Sequence, residues 1–409
     1  MAGTNCRRIT MARSFNSTRD LVQTSSGRPV SGSDRRSTPP LALERLAARS
    51  GISFNGVRPW DIKVRDPLLY RRILLQGSLG FGEAYMDGLW DSDQLDETMT
   101  RLIRTEADHR LPGLATLLKG VAFLEDQVIN RQSRRRAFHV GERHYDIGND
   151  LYRVMLDPSM SYSCGYWADA RTLEDAQRAK LDLICCKLGL QPGERLLDIG
   201  SGWGGLAEYA ARTYGVEVVG VTISKEQLEL ARVRCQGLPV EFRLMDYREL
   251  EGRFDKIVSV GMFEHVGHKN YPVFFNKVAD LLTDSGLMLL HTIGSRTSDW
   301  GTEPWVHKYI FPNGAIPSVR QLGAAFEPCL VLEDWHCFGQ DYDRTLQAWW
   351  SNFERAWPGL DRERYDQRFY RMWKYYLHLF MGFFRSRRGQ LWQLVLSKPG
   401  RPEVYRSVR

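Results

Sequence analysis

From Arg195 to Gly205 the chain reads Arg-Leu-Leu-Asp-Ile-Gly-Ser-Gly-Trp-Gly-Gly, an apolar strand running straight into a glycine-rich turn. Gly200, Gly202 and Gly204 allow a tight turn and let the backbone approach a ligand that a Cβ would exclude. Residues 206–213 follow at helical spacing, so the turn presents backbone N–H groups beside a helix N-terminus, as a nucleotide-binding loop does. Taken alone, such a loop suits a dinucleotide site, a nucleoside site or a plain tight turn equally well.

The segments that follow narrow the choice. Glu217–Thr222 reads as a second strand, leading into a helix from about Ser224 with Glu226 and Gln227 in its first turn. Residues 241–246 read as a third strand ending in Asp246, with Tyr247 next; Phe254–Val260 is a fourth, 286–293 a fifth, and 391–397 a closing strand. Strands alternating with helices predict an α/β domain, a parallel sheet covered on both faces with ligands at the carboxyl ends of its strands. This spacing resembles the Rossmann-like fold of S-adenosylmethionine-dependent methyltransferases. The resemblance implies that the first loop cradles the methionine part of the donor and that a residue after the third strand meets the adenine. Strand two ends in Thr222 rather than the acid an NAD enzyme carries there, which argues against a dehydrogenase and leaves ribose recognition to polar groups such as Gln227.

At 409 residues the chain exceeds the usual single-domain range, so two domains are expected. Residues 1–40 are rich in Ser, Thr and Arg, poor in acids, and end in Pro39-Pro40, which predicts a disordered tail; the composition also resembles a transit peptide. Residues 41–125 read as a small N-terminal domain, holding Gly77-Ser-Leu-Gly-Phe-Gly-Glu-Ala-Tyr-Met-Asp-Gly-Leu-Trp90 and a helix-like segment over 93–104. A connecting helix over 111–129 leads into a basic linker, 126–140, with Arg131, Arg134, Arg135 and Arg136. The catalytic domain takes 141–400 and a short tail 401–409. Inside it, 295–329 interrupts the sheet with Trp300, Trp305, Tyr309, Ile310 and Phe311, too apolar for an ordinary loop. Residues 346–384 carry Trp349, Trp350, Phe353, Trp357, Phe369, Trp373, Tyr376 and Phe380 at helical spacing. They predict a buried helix pair whose aromatic surface would also line a slot for an acyl chain.

The formal charge of +7, from 56 Lys plus Arg against 49 acids, suits an anionic partner, either nucleic acid or an anionic bilayer. No nucleic-acid module is recognisable. The best apolar run, 375–384, is too short to span a bilayer and contains His378, so a lipid substrate would have to be visited at the membrane surface. Seven cysteines with no Cys-x-x-Cys pair predict a reduced, cytoplasmic protein. No His, Cys or carboxylate grouping has the spacing of metal ligands.

A set of motifs, in order along the chain, carries a closer likeness: His144-Tyr-Asp-Ile-Gly-Asn-Asp150, Met160-Ser-Tyr-Ser-Cys-Gly-Tyr-Trp167, Leu197-Asp-Ile-Gly-Ser-Gly-Trp-Gly-Gly205, Gly261-Met-Phe-Glu-His-Val-Gly267, Leu290-His-Thr-Ile-Gly294, Tyr309-Ile-Phe-Pro-Asn-Gly314 and Asp341-Tyr-Asp-Arg-Thr-Leu346. Over roughly residues 41–400 the chain resembles the bacterial cyclopropane-fatty-acyl-phospholipid synthase family. The resemblance implies transfer of the methyl carbon of S-adenosylmethionine to the cis double bond of an acyl chain in a phospholipid. A carbocation results, and loss of a proton from the new methyl closes the ring. Such a site must exclude water, tolerate a cation and hold a base near the methyl group.

The resemblance further implies a bound bicarbonate as that base, held by Cys164, Glu264, His291, Ile293 and Tyr342. Strand periodicity agrees in one respect, since residues 291 and 293 point to one face while Thr292 points to the other. His291 and the Tyr342 hydroxyl can donate to an anion, the Ile293 and Cys164 backbone N–H groups can complete a cradle, and Glu264 can accept from protonated bicarbonate. Donor contacts carry over to Tyr162, Ser163, Gly200, Gly202, Thr222, Gln227, Asp246 and Tyr247. Each residue also has a plain structural reading: Cys164 as a buried small hydrophobe, His291 as a core histidine, Glu264 as a helix cap, and His265 as structural. The family also implies peripheral contact with the inner face of the cell membrane and a homodimer. Rival readings are methylation of the acyl chain without ring closure, N-methylation of a small amine, an RNA methyltransferase, and a binder that senses the donor or a lipid.

Overall fold

The computed structural model describes residues 38–106, 148–298 and 303–409. The expectations for residues 1–37, the helix over 111–129, the arginines at 131–136, His144 to Ile147, and Trp300 lie outside the described residues.

The elements run α1 (Leu41–Arg49), β1 (Lys63–Val64), α2 (Leu68–Met86), β2 (Trp90–Asp91), α3 (Leu95–Arg104), α4 (Asn149–Met155), α5 (Leu173–Leu188), β3 (Arg195–Ile199), α6 (Gly205–Tyr214), β4 (Glu217–Thr222), α7 (Lys225–Arg234), β5 (Val240–Leu244), β6 (Phe254–Val260), α8 (Tyr271–Leu281), β7 (Leu282–Ser295), α9 (Pro304–Tyr309), α10 (Val319–Phe326), β8 (Val331–Cys337), α11 (Asp341–Ala356), α12 (Gln367–Arg385) and β9 (Gly389–Ser397). Strands β3 to β9 form one seven-stranded sheet in the order β5-β4-β3-β6-β7-β9-β8. The five strands from β5 to β7 pair in parallel, and β9 joins β7 and β8 antiparallel. Strand order reverses between β3 and β6, and at such a switch point the loops leave in opposite directions and open a crevice at the carboxyl ends.

Burial on both faces explains the unbroken Val, Leu and Ile runs of the inner strands. Leu197, Ile199, Val219, Val221 and Ile257 pack on one face with Phe274 and Phe275 of α8. Leu196, Val218 and Val258 pack on the other with Ile184 of α5 and Ala207 of α6. Gly189 and Gly215 close α5 and α6 in the left-handed conformation.

Two strand expectations need correction. The third strand ends at Leu244, and Asp246 instead caps a short 3-10 turn, its side chain accepting from the Arg248 N–H. The sheet also holds β8, which no periodic pattern in the sequence marks; it is an edge strand whose Glu333, Asp334 and His336 break the apolar alternation.

A third core is aromatic. Leu69, Tyr85, Trp90 and Met99 of the N-terminal segment pack in one cluster with Trp305, Trp349, Trp373 and Phe384. The Gly77 stretch is helical, α2 running through it with a kink at Gly77 (φ 59°, ψ −133°) that favours a residue without a side chain. Cations on α12 tie this segment down. Arg371 donates to the Tyr85 and Trp90 carbonyls and to Asp91, and its guanidinium lies 4.1 Å from the Tyr85 ring. Arg385 bridges Asp96 of α3 and Asp343 of α11. Arg371→Met keeps the stem but strips three acceptors of a charged donor, so the urea midpoint should fall by the equivalent of about 2 to 3 kcal/mol.

Candidate active site

The crevice at the carboxyl ends of β3, β4, β6 and β7 encloses a cavity of about 280 Å3. Its first wall is the glycine turn, where Gly200 (φ 91°) and Gly202 (φ 53°) hold backbone conformations that L side chains rarely adopt. Thr222, Gln227, Asp246, Tyr247, Tyr162 and Ser163 line the same cavity, so all eight positions expected to meet the donor come together.

Hydrogen bonds preset several of them. The Thr222 hydroxyl donates to Gln227 Oε1 at 3.1 Å and accepts from the Ser224 N–H, which holds the Gln227 amide toward the cavity. Asp246 is more engaged than its place in the sequence implies: one carboxylate oxygen accepts from Arg248 Nε at 2.8 Å and the other from Nη2 at 2.6 Å. This two-pronged pairing fixes the plane of the carboxylate at the cavity wall. The Tyr162 and Tyr376 hydroxyls lie 2.7 Å apart, placing two aromatic rings on the cavity.

The loop carrying Tyr162, Ser163 and Cys164 is held from several sides. Asp157 accepts from the Ser159 and Ser161 N–H groups. Thr345 of α11 accepts from the Gly165 N–H at 3.1 Å and from Trp167 Nε1 at 2.8 Å, while Asp341 accepts from the Trp167 N–H at 2.7 Å. The same helix carries Tyr342, so this stapling sets one expected site residue against another.

Lys180 of α5 is the main site residue that the motifs do not name. It is 2% exposed, lines the cavity, and its ammonium donates to Ser163 Oγ at 3.1 Å. Burial pushes it down to about 8, against the pull of Asp157, Cys164 and Asp198. Asp198, at the end of β3 beneath the glycine turn, is pushed up to about 7 by burial, with Lys180 opposing. A signal exists in the sequence: Lys180 and Lys187 sit at helical spacing with Leu173, Ala176, Ile184 and Leu188, on the apolar stripe of α5 where a solvated lysine has no place.

Glu264, Ile293 and Tyr342 line the cavity as well. Glu264 follows β6 in a 3-10 turn, and its Oε1 accepts from the Ile293 N–H at 2.7 Å. The Ile293 N–H therefore secures Glu264 rather than standing open to an anion, as the motif alone suggests. Among the described residues the other carboxylate oxygen, Oε2, is buried with no hydrogen-bond partner. Burial raises Glu264 to about 7, with the Ile293 N–H, its own N–H and the nearby Thr292 hydroxyl opposing. Neighbouring His265 lines the cavity and is pushed down to about 4 by burial.

Cys164 and His291 stand behind this wall. Cys164 is fully buried, its thiol donating to the Gly165 carbonyl at 3.2 Å and lying 3.8 Å from Thr345 Oγ1. Burial and then Asp341 push that thiol well above its usual range, which removes it as a nucleophile. His291 is 1% exposed, with Gln393 Nε2 3.2 Å from its Nδ1 and its Nε2 buried without a hydrogen-bond partner among the described residues. Burial, and then the nearby Lys180 and Lys187, hold its ring neutral. Among the described residues Glu264 Oε2 and His291 Nε2 are buried polar atoms without a hydrogen-bond partner, one an acceptor and the other a nitrogen able to donate, and these are the chemical functions a small protonated oxyanion would need.

The remaining wall is apolar, formed by Val306 of α9, Phe311, and Tyr376 and Phe380 of α12. The interrupting segment and the aromatic helix thus supply one side of the cavity whose other side is the glycine turn.

Comparison with known proteins agrees with this arrangement. The family described as mycolic acid cyclopropane synthetase matches residues 132–394. The cyclopropane-fatty-acyl-phospholipid synthase of Escherichia coli strain K12 is 53% identical over 353 residues, 86% of this chain and 92% of that protein. The tuberculostearic acid methyltransferase of Mycobacterium tuberculosis is 33% identical over 389 residues, 90% of each chain. Among solved structures, a mycolic acid cyclopropane synthase complexed with SAH and CTAB is similar with a TM-score of 0.57 and 31% identity, covering 64% of this chain and 98% of that one. With the glycine turn and the residues expected to face the donor gathered in one crevice, the chain belongs to the mycolic acid cyclopropane synthetase family of S-adenosylmethionine-dependent methyltransferases.

Proposed function

We propose that this protein adds the methyl carbon of S-adenosylmethionine across a cis double bond in a phospholipid acyl chain and closes a cyclopropane ring, with bicarbonate held at Glu264 as the base. The observation that carries the reading is Glu264 itself: a buried carboxylate with one oxygen fixed by the Ile293 N–H and the other unpartnered, on a cavity shared by a donor-binding turn and an aromatic wall.

The donor supplies an electrophilic methyl on a sulfonium, and bicarbonate supplies a small base close to it. The protein's residues do the rest. Gly200 and Gly202 let the backbone approach the methionine part, while Thr222, Gln227, Asp246 and Tyr247 meet the nucleoside. The faces of Tyr162 and Tyr376 stabilise positive charge by cation–π attraction. Val306, Phe311 and Phe380 exclude water, which would otherwise capture a carbocation. Glu264 Oε2 would accept from the O–H of bicarbonate, and the Tyr342 hydroxyl and His291 Nε2 would donate to its oxygens.

Mass spectrometry and proton NMR of membrane fatty acids, with and without the expressed protein, test this directly. A gain of one CH2 with loss of olefin protons and appearance of upfield ring protons is expected. A gain of one CH2 with a methyl-branch signal in place of the ring would favour acyl methylation without closure, the reading suggested by the tuberculostearic acid relative.

Among the described residues no helix is long and apolar enough to cross a membrane. Independently of that, the reading has the enzyme act from the cytoplasm and meet the inner face of the bilayer peripherally through the basic linker. Each cation near an anionic surface contributes about 1 kcal/mol before screening. Replacing Arg134, Arg135 and Arg136 by Gln should weaken sedimentation with anionic vesicles, most at low salt, and leave S-adenosylmethionine affinity unchanged. Equal binding of mutant and parent to anionic vesicles would move the membrane contact elsewhere.

A further inference from the structure

Strand β9 runs antiparallel to β7 with Gln393 directly opposite His291, so their side chains leave the sheet on the same face. Gln393 is fully buried, and its Nε2 lies 3.2 Å from His291 Nδ1. With the amide in this orientation its nitrogen donates, so the ring nitrogen that receives it carries a lone pair, and the single proton of a neutral imidazole sits on Nε2. Among the described residues that Nε2 is buried with no hydrogen-bond partner. Gln393 Oε1 is also buried and unpartnered. An amide with an unmet oxygen is a poor space-filler, so its use at this place lies in its NH2 group.

We propose that Gln393 is a positioning residue that holds His291 as the Nε2–H tautomer, offering that N–H to the small anion beside Glu264. The proposal rests on the anion reading of the site. The opposite amide orientation would demand a proton on Nδ1 and turn Nε2 into an acceptor, which repels an anion. A carboxylate at 393 would draw a proton onto Nδ1 and favour the imidazolium, whereas the uncharged amide selects a tautomer without adding charge.

Nitrogen NMR of the full chain, selectively 15N-labelled at histidine and with the His291 signals identified from a His291→Asn variant, reads the tautomer directly. The wild type should show a bare imine at Nδ1 and an N–H at Nε2. Gln393→Met should mix the two tautomers and raise the bicarbonate needed for half-maximal activity roughly tenfold, with S-adenosylmethionine affinity unchanged. Gln393→Glu should place a proton on Nδ1 and lower turnover further. A wild-type proton on Nδ1, or a Gln393→Met enzyme with the tautomer and bicarbonate dependence of the parent, overturns the proposal. A wild type indifferent to bicarbonate sinks the anion reading instead, and the tautomer spectra still decide what Gln393 does to the ring. If Gln393→Met fails to fold, the wild-type spectrum alone decides: an N–H at Nε2 supports the proposal and one at Nδ1 overturns it.

Discussion

Glu264→Gln should bind S-adenosylmethionine as the parent does and lose turnover by about a hundredfold to a thousandfold, the usual worth of a positioned acid or base. The amide keeps the shape and can still accept from the Ile293 N–H through its oxygen. Its NH2 then stands where the unpartnered Oε2 was, so it donates where the site needs an acceptor. Calorimetry with the donor and product analysis on unsaturated phospholipid vesicles separate the two effects. Near-parental product formation would remove Glu264 from the chemistry.

The same substitution should stabilise the ligand-free enzyme in mild alkali. Burial raises the folded-state value of Glu264 from 4.5 to about 7, so the folded chain holds a proton that the unfolded chain has released. The stability that this proton confers is complete below the unfolded value of 4.5 and is lost as pH rises through about 7. The shift corresponds to a loss on the order of 3 kcal/mol by pH 8 or 9. Glu264→Gln has no such proton to lose, so its melting temperature should fall less than the parent's between pH 5 and 8. Parallel curves would show that the carboxylate finds solvent or a partner when ionised.

Gly205→Ala should weaken donor binding although Gly205 holds no unusual backbone angle. A Cβ there would lie 2.2 Å from the Ser159 carbonyl oxygen, where no real pair of such atoms sits. The Ser159 loop cannot easily retreat, since Asp157 accepts from two of its N–H groups and Lys180 holds Ser163 from below. Relief must come from prising Tyr162 and Ser163 off the glycine turn, at a cost of about 1 to 3 kcal/mol. The affinity for S-adenosylmethionine should fall at least tenfold, or about 1.4 kcal/mol, with a matching drop in melting temperature. Gly323→Ala is the control: its added Cβ meets nothing within 4 Å inside α10, so it should be neutral or slightly stabilising. An unchanged Gly205→Ala affinity would show that the loop yields freely.

The parallel sheet and its glycine turn are legible in the sequence because their causes are local. Strands buried on both faces must be continuous apolar runs, and a turn that brings backbone to a ligand must be glycine. The motif set likewise names residues that line the crevice, among them Tyr162, Ser163, Glu264, Ile293 and Tyr342, while Cys164 and His291 stand behind its wall. Strand β8 escapes because an edge strand needs only one apolar face and half of its partners.

What only the tertiary structure decided was the partner of each buried polar group. Lys180 could be seen to sit on an apolar stripe, but not to hold Ser163; Ile293 could be placed beside His291, but not seen to spend its N–H on Glu264. The amide that faces His291 comes from β9, 102 residues away, and the threonine that staples the Cys164 turn comes from α11. Periodicity in a sequence reports which face of an element is buried, because burial is set by the element's own repeat. It does not report which donor meets which acceptor, because that depends on how distant elements pack, and at this site those pairings place Glu264, His291 and the donor loop.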